Sequence, residues 1–171
     1  MLIEQTISFR VYKNGQSFLG VATVDMPELS YMTETLSGSG IAGEIEAPTL
    51  GMTSSMSCTL NWVSQSAEFY SLLNPLEGNL LELRASQQAT DPATGLRLPQ
   101  ALRLVLQGEP KSASLGTMET GKKHGNTTVL ELSRLLVEVD GVPRLLIDKR
   151  NFIHAVNGVD MLAKVRADLG M

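Results

Sequence analysis

The 171-residue chain is 43% hydrophobic, which excludes general disorder, and its length suits one domain with a real core. Only 19% of residues are charged, below the roughly 25% of ordinary soluble domains, and a net charge of −4 argues against a phosphate-clamping surface. The single cysteine, Cys58, excludes an intramolecular disulfide and fits a reducing compartment, and no apolar run approaches membrane-spanning length.

The first residues, M-L-I-E-Q-T, carry an early acid and no basic-then-apolar run, so no signal peptide is expected. Ile7, Phe9 and Val11 then alternate with Ser8, Arg10 and Tyr12. Asn14-Gly15 is a strong hairpin signal, and Ser17 to Val24 is expected to return as the partner strand. Pro27 punctuates, and Glu28 to Thr33 reads as a further short strand. Ser37 to Gly51 is glycine-rich and reads as a mobile loop.

Met52 to Trp62 alternates cleanly. Met52, Met56, Cys58, Leu60 and Trp62 share one face, and Thr53, Ser55, Ser57, Thr59 and Asn61 share the other, as in a half-buried strand. Ser66 can cap a short helix carrying Phe69, Leu72 and Leu73, which Asn74-Pro75 ends. Asn79 to Gln87 alternates again, and Asp91-Pro92-Ala93-Thr94-Gly95 is a turn by composition. Leu102, Leu104 and Leu106 form the returning apolar face.

Glu109 to Thr127, rich in Gly, Ser, Thr and Lys, is the second expected mobile loop; its short basic run Lys122-Lys123-His124 reads as solvated. Val129 to Val139 is a long strand whose phase slips near Arg134-Leu135, as a bulge would cause. Asp140-Gly141 turns it into Arg144 to Asp148. The last segment has a turn at Asn157-Gly158 and then a helix. Asn157 is the expected cap, with Asp160 near the helix's positive end. Leu162, Val165 and Leu169 make its apolar stripe, and Gly170 stops it.

No catalytic constellation emerges. Gly38-Ser39-Gly40-Ile41-Ala42-Gly43 spells G-x-G-x-x-G, but Glu44 and Glu46 would repel phosphate and Pro48 opposes the helix that motif requires. A loop needing unusual backbone angles or close backbone approach explains it better. His124 and His154 lack the spacing of a metal site, and no G-x-S-x-G occurs. Cys58 lies on the apolar strand face, as a buried inert thiol would. No cofactor and no metal are expected.

The positions Val156, Asn157, Gly158, Val159, Asp160, Leu162, Arg166, Leu169 and Gly170 resemble the C-terminal signature of the major tail tube proteins of contractile-tailed bacteriophages. The resemblance runs nearly end to end. It includes the hairpin at Asn14-Gly15 with Gly20-Val21-Ala22, the glycines Gly38, Gly40 and Gly43 after Pro27-x-Leu29, and the strand Met56 to Trp62. It continues through Gly108 with Lys111 and on to Ile147-Asp148 and Asn151-Phe152-Ile153, whereas Ser64 to Pro99 matches in pattern more than identity.

The family implies a mainly β (α+β) fold: an antiparallel β-sandwich or barrel-like core with one short flanking helix and a C-terminal helix, forming a single domain over residues 1–171. It implies a self-assembling structural protein of the virion tail, made in the host cytoplasm, with no enzyme activity. Six copies would form a ring, and rings would stack into a hollow conduit for DNA ejection. Sheath, tape measure, baseplate and tail terminator proteins would be its partners, and DNA would pass without specific binding. By the same resemblance, Gly38, Gly40, Gly43, Asn157, Gly158, Asp160, Leu162 and Arg166 are the inter-subunit or fold-defining residues.

Six chains of net charge −4 would carry about −24 per ring, which repels DNA phosphates. Some of Glu82, Glu119, Glu131 and Glu138 are therefore expected to face the channel. The alternatives are the inner tube of a phage-tail-like bacteriocin or type VI-like secretion machine, and a monomeric β-barrel that binds a small ligand in its mouth.

Overall fold

A computed structural model describes residues 1–18 and 20–171. Period-two patterning dominates the sequence, and strands dominate the fold. In chain order they are β1 (Leu2–Lys13), β2 (Gln16–Phe18), β3 (Val21–Asp25), β4 (Tyr31–Ser37), β5 (Glu44–Thr53) and β6 (Ser57–Trp62). Helix α1 (Ala67–Ser71) follows, then β7 (Asn79–Thr90), β8 (Arg97–Ser114), β9 (Thr127–Val139) and β10 (Val142–Asp148). Short strands β11 (Ile153–Val156) and β12 (Val159–Asp160) lead into α2 (Ala163–Asp168).

One antiparallel sheet runs β12-β11-β10-β9-β8-β7-β1-β2, with β6 paired to β9 and β3 to β6; β4 and β5 form a separate two-stranded sheet. Three hairpins of the large sheet turn on Asn14-Gly15, Asp140-Gly141 and Asn157-Gly158. In each pair both residues have positive φ, as the favoured two-residue hairpin turn requires. The expected return strand 17–24 divides instead. Its first part, β2, pairs with β1, while β3 crosses to β6 and sets Val21 and Val24 against the core. Leu19, inside that expected strand, lies outside the described residues.

The phase slip expected near Arg134 is a bulge. Gln107 opposes Arg134 and Gly108 opposes Leu132, so Ser133 is the extra residue. The buried set accordingly steps from Leu130 and Leu132 to Leu135. At the same point the other edge of β9 changes partner, from β6 along Thr127–Glu131 to β10 along Arg134–Val139. The bulge therefore marks where the sheet forks. One branch curls over to make the barrel-like core, and the other carries β10, β11, β12 and α2.

Inside the curl, Val11, Leu83 and Leu104 oppose one another across three strands, and Leu60, Leu81, Leu106, Leu130 and Trp62 are buried with them. Ser66 caps α1 by accepting from the Phe69 backbone N–H at 3.4 Å, and Phe69 plugs the core edge-on to Trp62 at 5.6 Å. Cys58 is fully buried, and desolvation followed by the nearby Asp25 carboxylate pushes its thiol up to about 12.

One of the two expected loops is largely strand, and the other is strand only at its ends. Residues 44–51 belong to β5, so the segment 37–51 is the far half of a hairpin with its tip at 38–43. Residues 109–114 extend β8 opposite β9, which leaves 115–126 as the connection. The sequence hides β5 because Pro48 and Gly51 interrupt its pattern. Conversely, the expected continuous strand 52–62 breaks at 54–56, where Met56 enters the core. The expected strand 28–33 starts late, at Tyr31.

Candidate assembly site

The β4–β5 hairpin is the part of the chain least covered by its own fold. Every residue of β4 is exposed, and Met32, Leu36, Ile45 and Leu50 present large apolar side chains to solvent. Such an uncovered two-stranded sheet is marginal unless something holds it. Here the holding groups sit at its base and come from the C-terminal quarter of the chain.

His154, on β11, is buried at 1% exposure. Its Nδ1 lies 3.1 Å from the Gly51 carbonyl, which only accepts, so Nδ1 carries the proton and donates. Nε2 then accepts from the Tyr31 hydroxyl at 3.4 Å, and the two rings stack with centroids 5.6 Å apart. One histidine thus grips both strands of the hairpin. Lys149 adds a third hold by donating to the Ser54 carbonyl at 2.7 Å. Within the base itself, the Ser54 N–H donates to the Ser30 carbonyl at 2.8 Å.

Leu162, at 4% exposure, packs over Gly51. Gly51 has φ +65, and a Cβ there would stand 2.7 Å from the Leu162 side chain. Glycine is required twice over, for the turn angle and for the close approach.

Asp160 fixes Leu162. Its Oδ1 accepts from the Leu162 N–H at 3.0 Å and the His154 N–H at 3.3 Å, while Oδ2 pairs with Arg166 at 2.6 Å. Arg166 also donates to the Phe152 carbonyl at 2.6 Å. The Arg166 hydrogen bond, reinforced by the two backbone N–H groups, holds the Asp160 carboxyl below the usual carboxylate range.

The eight residues singled out from the sequence therefore fall into three places. Asp160, Leu162 and Arg166 converge on the hairpin base. Gly38, Gly40 and Gly43 form its tip, at φ +148, +94 and +111, with open space where side chains would project. Asn157 and Gly158 make an exposed hairpin turn, with Asn157 bonded to Arg144 through its backbone N–H at 2.8 Å.

Asn157 is not the helix cap expected. α2 begins at Ala163 with Leu162 at the cap position and no side-chain cap, because β12 intervenes and Asp160 supplies the acceptor instead. Of the expected helical stripe, Leu162 is buried, Val165 is half-buried and Leu169 is exposed.

Tyr31, Gly51, Lys149 and His154 were missed. For His154 the available sign of burial is its apolar flanks Phe152, Ile153, Ala155 and Val156. Among the described residues, no group of three or more His, Cys, Asp or Glu stands together to hold a metal ion. No helix among them is long and apolar enough to cross a membrane.

The four carboxylates expected to line a channel each face a cation. Glu82 pairs with Arg84 at 2.7 Å and Arg103 at 2.6 Å, Arg103 also reaches Glu138 at 2.7 Å, Glu131 meets Lys111 at 3.2 Å, and Glu119 meets Lys122 at 2.5 Å. Glu34, Glu44 and Glu46 on the hairpin are exposed and make no ion pair among the described residues.

The family model for phage tail tube protein FII matches residues 4–170, nearly the whole chain. This chain belongs to that tail tube family. The tail tube protein of Escherichia phage P2 is 29% identical over 167 residues, covering 94% of both chains. Two chains from solved structures of an extracellular contractile injection system share the fold. One comes from the PVC sheath/tube terminator, with a TM-score of 0.55, 15% identity and coverage of 77% of this chain and 94% of its own. The other comes from the PVC sheath-tube complex, with a TM-score of 0.51, 16% identity and coverage of 76% and 87%. The hairpin and its C-terminal brace thus belong to a tail tube protein.

Proposed function

We propose that this chain is the repeating subunit of the inner tube of a contractile phage tail. It forms hexameric rings that stack into a hollow conduit for DNA ejection, and it acts as one structural domain over residues 1–171 without catalysis. The observation that carries this reading is the end-to-end family match, with an apolar hairpin that the chain braces at its base and leaves uncovered along its length. A subunit that exists to meet copies of itself needs such a surface.

The partners on this reading are other copies first, then sheath, tape measure, baseplate and terminator proteins. The mature location is the virion tail. The hairpin with its tip glycines Gly38, Gly40 and Gly43, and the connection 115–126, are the segments assigned to assembly. Asp160, Leu162 and Arg166 hold the hairpin in position, and Asn157 and Gly158 shape the turn that delivers them.

Support for a phage tail over a bacteriocin or secretion tube comes from the family model and the phage P2 relative, both of which are phage tail tube proteins. Negative-stain electron microscopy of the purified, concentrated protein tests the tube reading. Rings or hollow tubes are the expected result. A protein that stays monomeric at all concentrations, even when seeded with baseplates, contradicts it.

A further inference from the structure

The face of the large sheet turned away from the core carries a row of arginines. Val11, Leu83 and Leu104 point inward, so their sequence neighbours Arg10, Arg84 and Arg103 point outward. The register sets Arg10 directly across from Arg84 and Arg84 directly across from Arg103, with Glu138 next in the row. All three arginines are exposed. Like charges directly opposite on neighbouring strands are destabilising, so the row needs anions.

Two carboxylates supply part of that need. Glu82 reaches Arg84 Nε at 2.7 Å and Arg103 Nε at 2.6 Å, and Glu138 reaches Arg103 Nη1 at 2.7 Å. Three guanidinium groups against two carboxylates leave one cation in excess. The excess falls on Arg10, which makes no ion pair among the described residues.

The donors left over suit an oxyanion. Glu82 takes Arg84 through Nε alone, and the guanidinium carbon sits over the Tyr12 ring, 5.1 Å from its centre, which restrains it. Both Nη groups of Arg84 and the whole fork of Arg10 remain as donors. Between the two lies a shallow depression of about 310 Å³, whose walls also include Ser8, Tyr12 and Ser86. Ser8 pairs with Ser86 as the next outward pair along the strands, and their hydroxyls add two further donors. A planar guanidinium fork matches two oxygens of a phosphate.

We propose that Arg10 and Arg84, with Ser8 and Ser86 beside them, form a site for a phosphate oxyanion. The phosphate lies between the two guanidinium groups, takes forked hydrogen bonds from both and removes their mutual repulsion. The chain's net charge of −4 does not oppose this, because the charge along this row is positive. The inference goes beyond the tube reading, which needs no anion site. A nucleic-acid backbone and free inorganic phosphate offer the same chemistry, and the experiment separates them.

Binding to the purified full chain at low salt tests it. Inorganic phosphate is followed by equilibrium dialysis, and a labelled single-stranded oligothymidylate by fluorescence anisotropy. Arg10→Gln is the deciding variant, because Arg10 makes no ion pair whose loss could disturb the fold, and it is expected to melt like the native chain. It should weaken binding by about tenfold or more, the size of a lost charged hydrogen bond. For the oligonucleotide it should also make the slope of log K against log salt shallower by about 0.7. Lys122→Gln with Lys123→Gln removes more charge, from the 115–126 connection, and should leave phosphate affinity and that slope unchanged.

Oligonucleotide binding that depends on Arg10 upholds the site with a nucleic-acid backbone as its source. Arg10-dependent binding of phosphate alone upholds it with the free ion as its source. No binding of either ligand overturns the proposal, as does binding that Arg10→Gln leaves intact or that the lysine variant weakens equally. Tubes that form normally from a chain that binds no phosphate overturn the site and leave the tube reading standing.

Discussion

Leu162 lies so close to Gly51 that a single methyl group at position 51 would stand 2.7 Å from its side chain. That contact joins the C-terminal segment to the hairpin across more than half the sequence, and it has a measurable energy. Gly51→Ala adds both a clash and a strained φ of +65, and is expected to cost about 1–3 kcal/mol. Leu162→Ala alone removes buried apolar contact, and Gly51→Ala on top of it should cost less than it does in the native chain. Chemical denaturation of the two single variants and the double variant reads the coupling. Strict additivity contradicts the close contact.

His154 should matter more to the hairpin than to the barrel. Its ring bonds Gly51 on β5 and Tyr31 on β4, so His154→Ala leaves a part-buried carbonyl without that donor, at a cost of about 1–3 kcal/mol. Hydrogen exchange is expected to speed up across residues 31–53 while Leu83 and Leu104 stay protected. Equal loosening of both regions contradicts the role given to this histidine.

Acid should release the C-terminal brace. The Asp160 carboxyl is held below its ordinary value by Arg166 and two backbone N–H groups. A depressed folded-state value gives stability that is fully present above the unfolded aspartate value of about 3.9 and lost as pH falls through the lower folded value. The segment 152–170 is therefore expected to loosen below about pH 4, and Asp160→Asn should remove that part of the pH dependence. An identical acid profile in Asp160→Asn contradicts the assignment.

Cys58 should be inert in the native protein. It is fully buried, and its thiol is pushed up to about 12, so almost no thiolate exists at neutral pH. A thiol reagent is expected to label it only at the rate of unfolding, with fast labelling after addition of denaturant. Rapid labelling of the folded chain contradicts its placement.

Much of the fold was legible because strand periodicity and turn chemistry are local. Asn14-Gly15 and Asp140-Gly141 mark their hairpins, Ser66 marks the start of α1, and the apolar step from Leu132 to Leu135 betrays the bulge at Ser133. Long-range pairing was less legible. Nothing local to Val21–Asp25 says that it joins Ser57–Trp62 rather than β1, and β5 is disguised by Pro48 and Gly51.

The site was half visible for the same reason. Asp160, Leu162 and Arg166 stand within one short segment, whereas Tyr31, Gly51 and Lys149 reach them only through the fold. Net charge is silent on placement. It gave the sign for the chain, but the ion pairs of Glu82, Glu131 and Glu138 show that a total does not place charge on a surface.

The central claim is that this chain builds a tube and that its braced hairpin is the arm with which copies meet. Cryo-electron microscopy of assemblies grown from the purified protein tests it most directly. The account predicts hollow stacked rings in which residues 31–53 of every copy lie against another copy, with Leu36 and Ile45 covered. Assemblies whose hairpins project free into solvent, or a protein that never forms a periodic assembly, would contradict it.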